Sequence, residues 1–181
     1  MYNDSNIELN EMKRYFFDRS TTDKFTKFLM SQAELIAQHQ KGDTSYAYEV
    51  ITSADDIVYD YPRTIQPLKK YFLPPKETLL SFDSANNEFK KEAIDIKNRI
   101  FFAIHSYEMQ SIKRLDYSFA QGNPESNYLK RREDSTFIGI SFNPDRWHFT
   151  KSIGIAIEEL DGERKKKKPA KKRRSLKIRI K

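Results

Sequence analysis

Two short stretches hold residue types that could do chemistry. His105-Ser-Tyr-Glu108 places an imidazole, two hydroxyls and a carboxyl within four residues. Such a set could move protons, or hold an anion at the start of a helix. Arg131-Arg132-Glu133 offers two guanidinium groups, and arginine pairs grip phosphate or carboxylate bidentately. Each has a plainer reading. Ser106 fits a helix cap with Tyr107 packed beside it, and the arginines fit charges at a helix C-terminus with Glu133 as partner. A third stretch, Asn143-Pro-Asp-Arg-Trp-His-Phe149, contains the only tryptophan. Trp147 suits either stacking or a domain edge, and His148 by itself is not a metal site. Asp55/Asp56 and Glu158/Glu159 are sequence neighbours whose side chains point apart, so they read as charged surface rather than as converging acids.

Other chemistry is excluded outright. The chain has no cysteine, which removes disulfides, cysteine-ligated zinc and ordinary thiolate-bound iron–sulfur clusters. His39, His105 and His148 are too scattered to form a metal site. Phosphate-loop, dinucleotide, zinc-protease and nucleophile-elbow motifs are missing. The expectation is no catalytic residue, no metal and no cofactor in this chain, and no enzyme acting by itself. The cofactor-binding candidates are limited to the corner His105, Ser106, Tyr107, Glu108 and the clamp Arg131, Arg132. A small-ligand or flavin enzyme built on those six residues is a third-rank reading.

The elements that must position these residues form a mixed α/β fold. Residues 1–22 read as an irregular lead or short helix. Asp23 caps a helix over 23–32, with Phe25, Phe28 and Leu29 on one face. Leu35-Ile-Ala-Gln and Tyr46 to Ile51 form a hairpin about the Lys41-Gly42-Asp43 turn, unless the helix runs on to Gln40. Ser53 starts a short helix or turn. Four of seven prolines fall within residues 60–76. That segment reads as an ordered, extended loop because Tyr71, Phe72 and Leu73 call for burial. Glu77 to Phe82 is a strand, and Asp83 to Lys97 is ambiguous. Arg99 to Ile104 is a continuous apolar strand, followed by a helix capped by Ser106 and carrying Ile112, Leu115 and Phe119 at helical spacing. Gly122-Asn-Pro ends it, a short helix covers Glu125 to Arg132, and Thr136 to Phe142 is a second buried strand. Residues 99–142 thus make a βαβ-type unit with parallel pairing.

Charge is segregated. Twelve of the 33 lysines and arginines lie between Arg164 and Lys181, leaving 21 against 26 acids before them. The division is therefore a lead over 1–22, one α/β domain over 23–162 and a disordered basic tail over 163–181. Three readings of the tail stay open: non-specific nucleic-acid binding through Arg164–Lys181, contact with an anionic membrane surface, or non-native sequence from a shifted reading frame. No apolar run is long enough to span a membrane, and the polar start lacks a secretory signal. The expected location is the cytoplasm.

Several phrases in order resemble one family, which joins the beta subunits of cytoplasmic sulfhydrogenases with an iron–sulfur subunit of anaerobic sulfite reductase. They are Asp60-Tyr-Pro-Arg-Thr-Ile-Gln-Pro-Leu-Lys-Lys-Tyr-Phe-Leu-Pro-Pro-Lys-Glu-Thr-Leu80, then Ile100–Ile104, Ile112-Lys-Arg-Leu-Asp-Tyr-Ser-Phe119, Asn127-Tyr-Leu-Lys-Arg-Arg-Glu133 and Phe137–Ser141. The resemblance runs over about 23–162. It implies an electron-transfer subunit beside other subunits of a redox complex, with 4Fe-4S clusters only in full-length members. It also departs from the family. His105-Ser-Tyr-Glu108 stands where members have Arg-Pro-Cys-Asp, and His148-Phe149-Thr150 stands where they have Cys-Phe-Cys. The expectation is a truncated, cluster-free relative that acts at most as a protein-binding scaffold. A nucleic-acid-binding protein using the basic tail is the alternative.

Overall fold

The computed structural model describes residues 18–150, 152, 154 and 155. The basic tail, most of the lead and the Glu158/Glu159 pair lie outside the described residues.

Helix α1 spans Arg19–Gln32. Its cap is Asp18, whose carboxylate accepts from the Thr21 amide at 2.7 Å; Asp23, expected to cap a later start, sits inside the helix. Asp18 wins because it is the acid with extended backbone directly before the first turn. Thr26 and Leu29 are buried, with Phe25 and Met30 packed beside them. Phe28 points away, 57% exposed. A step of three residues from Phe25 carries it off the stripe that Leu29 keeps.

The helix stops at Ala33, and the chain passes into β1 (Glu34–Gln40) and β2 (Tyr46–Val50), an antiparallel hairpin. Ser53 caps a 3-10 turn over Ala54–Asp56. A second 3-10 turn covers Leu68–Tyr71 inside the proline-rich loop. Strands β3 (Leu80–Asp83) and β4 (Glu88–Lys91) form a separate two-stranded ribbon. β3 begins three residues later than expected and finds its partner in the segment whose sequence was ambiguous. Strand β5 (Arg99–Ile104) is buried throughout. Helix α2 (Ser106–Ala120), helix α3 (Ser126–Glu133) and strand β6 (Ser135–Gly139) complete the described elements.

The main sheet has the order β2-β1-β5-β6. β1 and β6 both run parallel to β5, and β2 is antiparallel to β1. This is the mixed α+β fold read from the sequence. The alternation of side chains splits the core into two layers. Leu35, Ala37, Ile100, Phe102 and Ile138 pack with Leu29 of α1 and with Ile57. Ile36, Tyr48, Phe101 and Ile104 pack with Ile112 of α2, Tyr128 of α3, and Leu68 and Phe72 of the proline-rich loop. Burial of two apolar faces fixes strand register, because a one-residue slip would turn each face inside out. Near the end of β5 the register shifts between Phe102 and Ile104. There Ala103 adopts φ 57°, a left-handed conformation that costs an alanine about 1–2 kcal/mol.

Candidate functional site

The bulge at Ala103 builds the corner that follows it. Turning the backbone there sends the Ala103 carbonyl sideways, where it accepts from Gln38 Nε2 at 2.7 Å and from the Tyr61 hydroxyl at 3.2 Å. Gln38 Nε2 also donates to the Tyr61 hydroxyl at 2.9 Å, and the Tyr48 and Tyr61 hydroxyls lie 3.2 Å apart. Thus β1, β2, the proline-rich loop and the carboxyl end of β5 meet in one buried polar knot. These bonds offset the strained φ, because a buried carbonyl left unpaired is costly.

His105 leads directly from the bulge into α2. Its ring is stacked between Tyr61 and Phe142, each 4.0 Å away between ring centres and tilted by 10° and 15°. Its Nδ1 lies 3.3 Å from the Tyr107 hydroxyl, and its Nε2 is buried without a partner in the structure. Burial, with a smaller push from nearby His148, holds the imidazole down to about 3. The ring is therefore neutral near pH 7. Ser106 does not cap α2. The N-cap residue is His105, without a side-chain cap, and the Ser106 hydroxyl is buried without a partner. Tyr107 lies edge-on to Phe142 and His148. Glu108 is buried; burial pushes its carboxyl up, opposed by the hydrogen bond that its Oε2 accepts from the Leu68 amide at 3.3 Å. Burial likewise raises Tyr48, Tyr61 and Tyr107 above the ordinary phenol range. Every shifted group in the corner therefore moves towards its neutral form: Glu108 and the tyrosines keep their protons, and the His105 imidazole stays unprotonated.

The two arginines do not converge. Arg131 is buried and pairs with Glu77, and it donates to the carbonyls of Phe72 at 3.2 Å and Asp95 at 3.3 Å. Arg132 lies over Phe137 and reaches Asp116 with Nε at 3.0 and 3.1 Å. Tyr128 donates to the same Asp116 at 2.7 Å. Successive helical residues project about 100° apart, so each guanidinium meets its own carboxylate and ties α3 to a different neighbour. His148 contacts Phe142 at the corner. Trp147 is exposed, with Arg146 over its ring. Among the described residues, no three His, Cys, Asp or Glu side chains are grouped to hold a metal ion.

Sequence reasoning missed Gln38, Tyr48 and Tyr61. A glutamine inside the apolar run Leu35-Ile-Ala-Gln was a signal, since a buried amide needs partners.

Fold and site together define a mixed α/β domain with a sealed aromatic corner at the carboxyl ends of its parallel strands. The particular relationship comes from comparison with known proteins. The chain is 35% identical over 112 residues to sulfhydrogenase 2 subunit beta of Pyrococcus furiosus, a match covering 62% of this chain and 33% of that protein. Over those residues the chain is similar to the beta subunit of that sulfhydrogenase. It spans about a third of the length of that curated relative. No family model and no solved structure matches. No helix among the described residues is long and apolar enough to cross a membrane.

Proposed function

We propose that this chain is a docking module of an electron-transfer subunit in a cytoplasmic hydrogenase complex. The observation that carries the reading is the 35% identity to a sulfhydrogenase beta subunit over 112 residues. The chain contains no cysteine, so thiolate-bound 4Fe-4S clusters of such a subunit must be held outside it. The module's part is then to seat the electron carrier on its partners, as a protein-binding scaffold. Its surface suits the task. Ile65, Trp147 and Phe149 are exposed on two loops that the Arg63–Asp145 ion pair ties together, and aromatic and aliphatic anchors of this kind carry protein interfaces. An anaerobic sulfite reductase is the second complex in which the same module would fit. A nucleic-acid role rests on Arg164–Lys181, which lie outside the described residues, and the matched relative lends it no support.

Anaerobic reconstitution with ferrous iron and sulfide tests the division of labour. The expected product is colourless protein with no bound iron after desalting. A stoichiometric cluster with visible iron–sulfur absorption would make the chain an electron carrier itself and overturn the scaffold reading.

A further inference from the structure

The β3–β4 ribbon is a separate sheet of two strands, and its hydrogen bonding shows which groups its edges present. Leu80↔Lys91 and Phe82↔Phe89 lie on one face, and Ser81↔Lys90 and Asp83↔Glu88 on the other. The Glu92 amide donates to the Leu79 carbonyl, which sets the phase of the ladder. Bonded and non-bonded positions alternate in an antiparallel pair. Ser81, Asp83, Glu88 and Lys90 therefore bond inward, and the backbone N–H and C=O of Phe89 and Lys91 point outward from β4. Among the described residues those groups have no backbone partner. A two-stranded ribbon is marginal in water, and an open edge is a template for another strand.

The side chains of β4 say which strand. Asp83 and Glu88 stand directly opposite each other, a like-charge pair that works against the ribbon. Lys90 reaches Asp83 at 3.2 Å, while Glu88 has no ion-pair partner among the described residues. Phe89 touches Phe82 at 5.0 Å between ring centres yet stays 74% exposed. We propose that β4 pairs antiparallel with β4 of a second copy of this chain, about a two-fold axis at Phe89. The two Phe89 residues then exchange their outward N–H and C=O groups, and their rings meet on the apolar face. The same register sets Glu88 of each copy opposite Lys90 of the other. Lys90 uses one of its three donors on Asp83 and keeps others for that carboxylate. Asn87, at φ 54°, turns the chain off the edge and ends the pairing. The product is one sheet of four strands, β3-β4-β4-β3. The edge of β3 is a poorer match to itself. An axis at Ser81 aligns Leu80 with Phe82 of the copy but sets Asp83 against Leu79, with no charge pair. Dimerisation through β4 needs no redox partner.

Sedimentation equilibrium of the full chain tests this with two charge reversals. Wild type is expected to pass from monomer to dimer between about 10 µM and 1 mM. Glu88→Lys sets lysine against lysine across the axis, and Lys90→Glu sets glutamate against glutamate. Each variant alone should associate about tenfold more weakly or worse. An equal mixture of the two restores both opposite-charge pairs and should dimerise as wild type does, which also shows both variants to be folded. A wild type that stays monomeric to about 1 mM would overturn the proposal. So would single variants that dimerise like wild type, which would place the contact on another surface, or a mixture no stronger than its components.

Discussion

Phe72→Ala should lower the free energy of unfolding by about 3–5 kcal/mol, a large part of the roughly 5–15 kcal/mol typical of a domain. Phe72 is fully buried in the proline-rich loop, against Phe101 at 5.2 Å, Tyr128 at 5.9 Å and Phe137 at 6.1 Å. It joins β5, β6 and α3 in one layer. The loop is fastened all round it. Tyr71 donates to the Tyr48 carbonyl at 2.8 Å, Arg99 donates to the Tyr71 carbonyl at 3.3 Å, and Arg131 holds the Phe72 carbonyl. Loop and sheet cannot collapse into the space left by the ring, so most of the cavity cost stays. Urea unfolding checks this: the midpoint should fall by more than about 1 M. Phe28→Ala, on the exposed side of α1, should move it little. Equal effects from the two substitutions would mean that the loop is not part of the core.

The second large effect is acid sensitivity from His105. Burial depresses its folded-state pKa to about 3, from an ordinary value of 6.5. For a base, a depressed value means that the unfolded chain binds the proton first. The stabilisation is therefore complete above pH 6.5 and is lost as pH falls towards 3, at roughly 1.4 kcal/mol per pH unit. His148 is also depressed by burial and acts in the same direction. Glu108 opposes them. Its raised value gives stability that is present below the ordinary 4.5 and fades as pH rises through the folded value. His105→Phe keeps a flat ring between Tyr61 and Phe142 and removes the proton site. Urea midpoints at about pH 7.5, 6, 5 and 4 should fall for both proteins, but less steeply for the variant. The two curves should separate by on the order of 1 kcal/mol per pH unit below about 6.5. Parallel curves would show that His105 is not the group being charged.

The strands and helices legible in the sequence were those whose signals are local. Ile100–Ile104 is apolar without interruption because both faces of β5 are covered, and the 3.6 spacing of Ile112, Leu115 and Phe119 marks the buried side of α2. The hairpin followed from the turn at Gly42. What the sequence hid was set by tertiary contacts. The choice of Asp18 over Asp23 depends on where the chain enters α1. The pairing of β4 depends on β3 folding back onto a charged segment. The left-handed turn at Ala103 shows in no propensity, because an alanine adopts it only where Gln38 and Tyr61 hold the carbonyl. At the corner, His105, Ser106, Tyr107 and Glu108 stood out as a local cluster; His105 and Tyr107 touch, while the Glu108 carboxylate turns to the Leu68 amide. Nothing local could show that Tyr61 and Phe142, 44 and 37 residues away from His105 in opposite directions, would close over the ring. The divergence of Arg131 and Arg132 was readable, since neighbours on a helix face different ways.

Docking of this chain within a hydrogenase complex is tested most directly by affinity isolation. The tagged chain is recovered under anaerobic conditions from the cells that express it, and the co-purifying proteins are identified by mass. Hydrogenase subunits should be recovered in fixed ratio to the chain, and they should be lost when Trp147 and Phe149 are replaced by serine in a variant that still folds. Recovery of the folded chain free of any hydrogenase or sulfite reductase component would contradict the docking role.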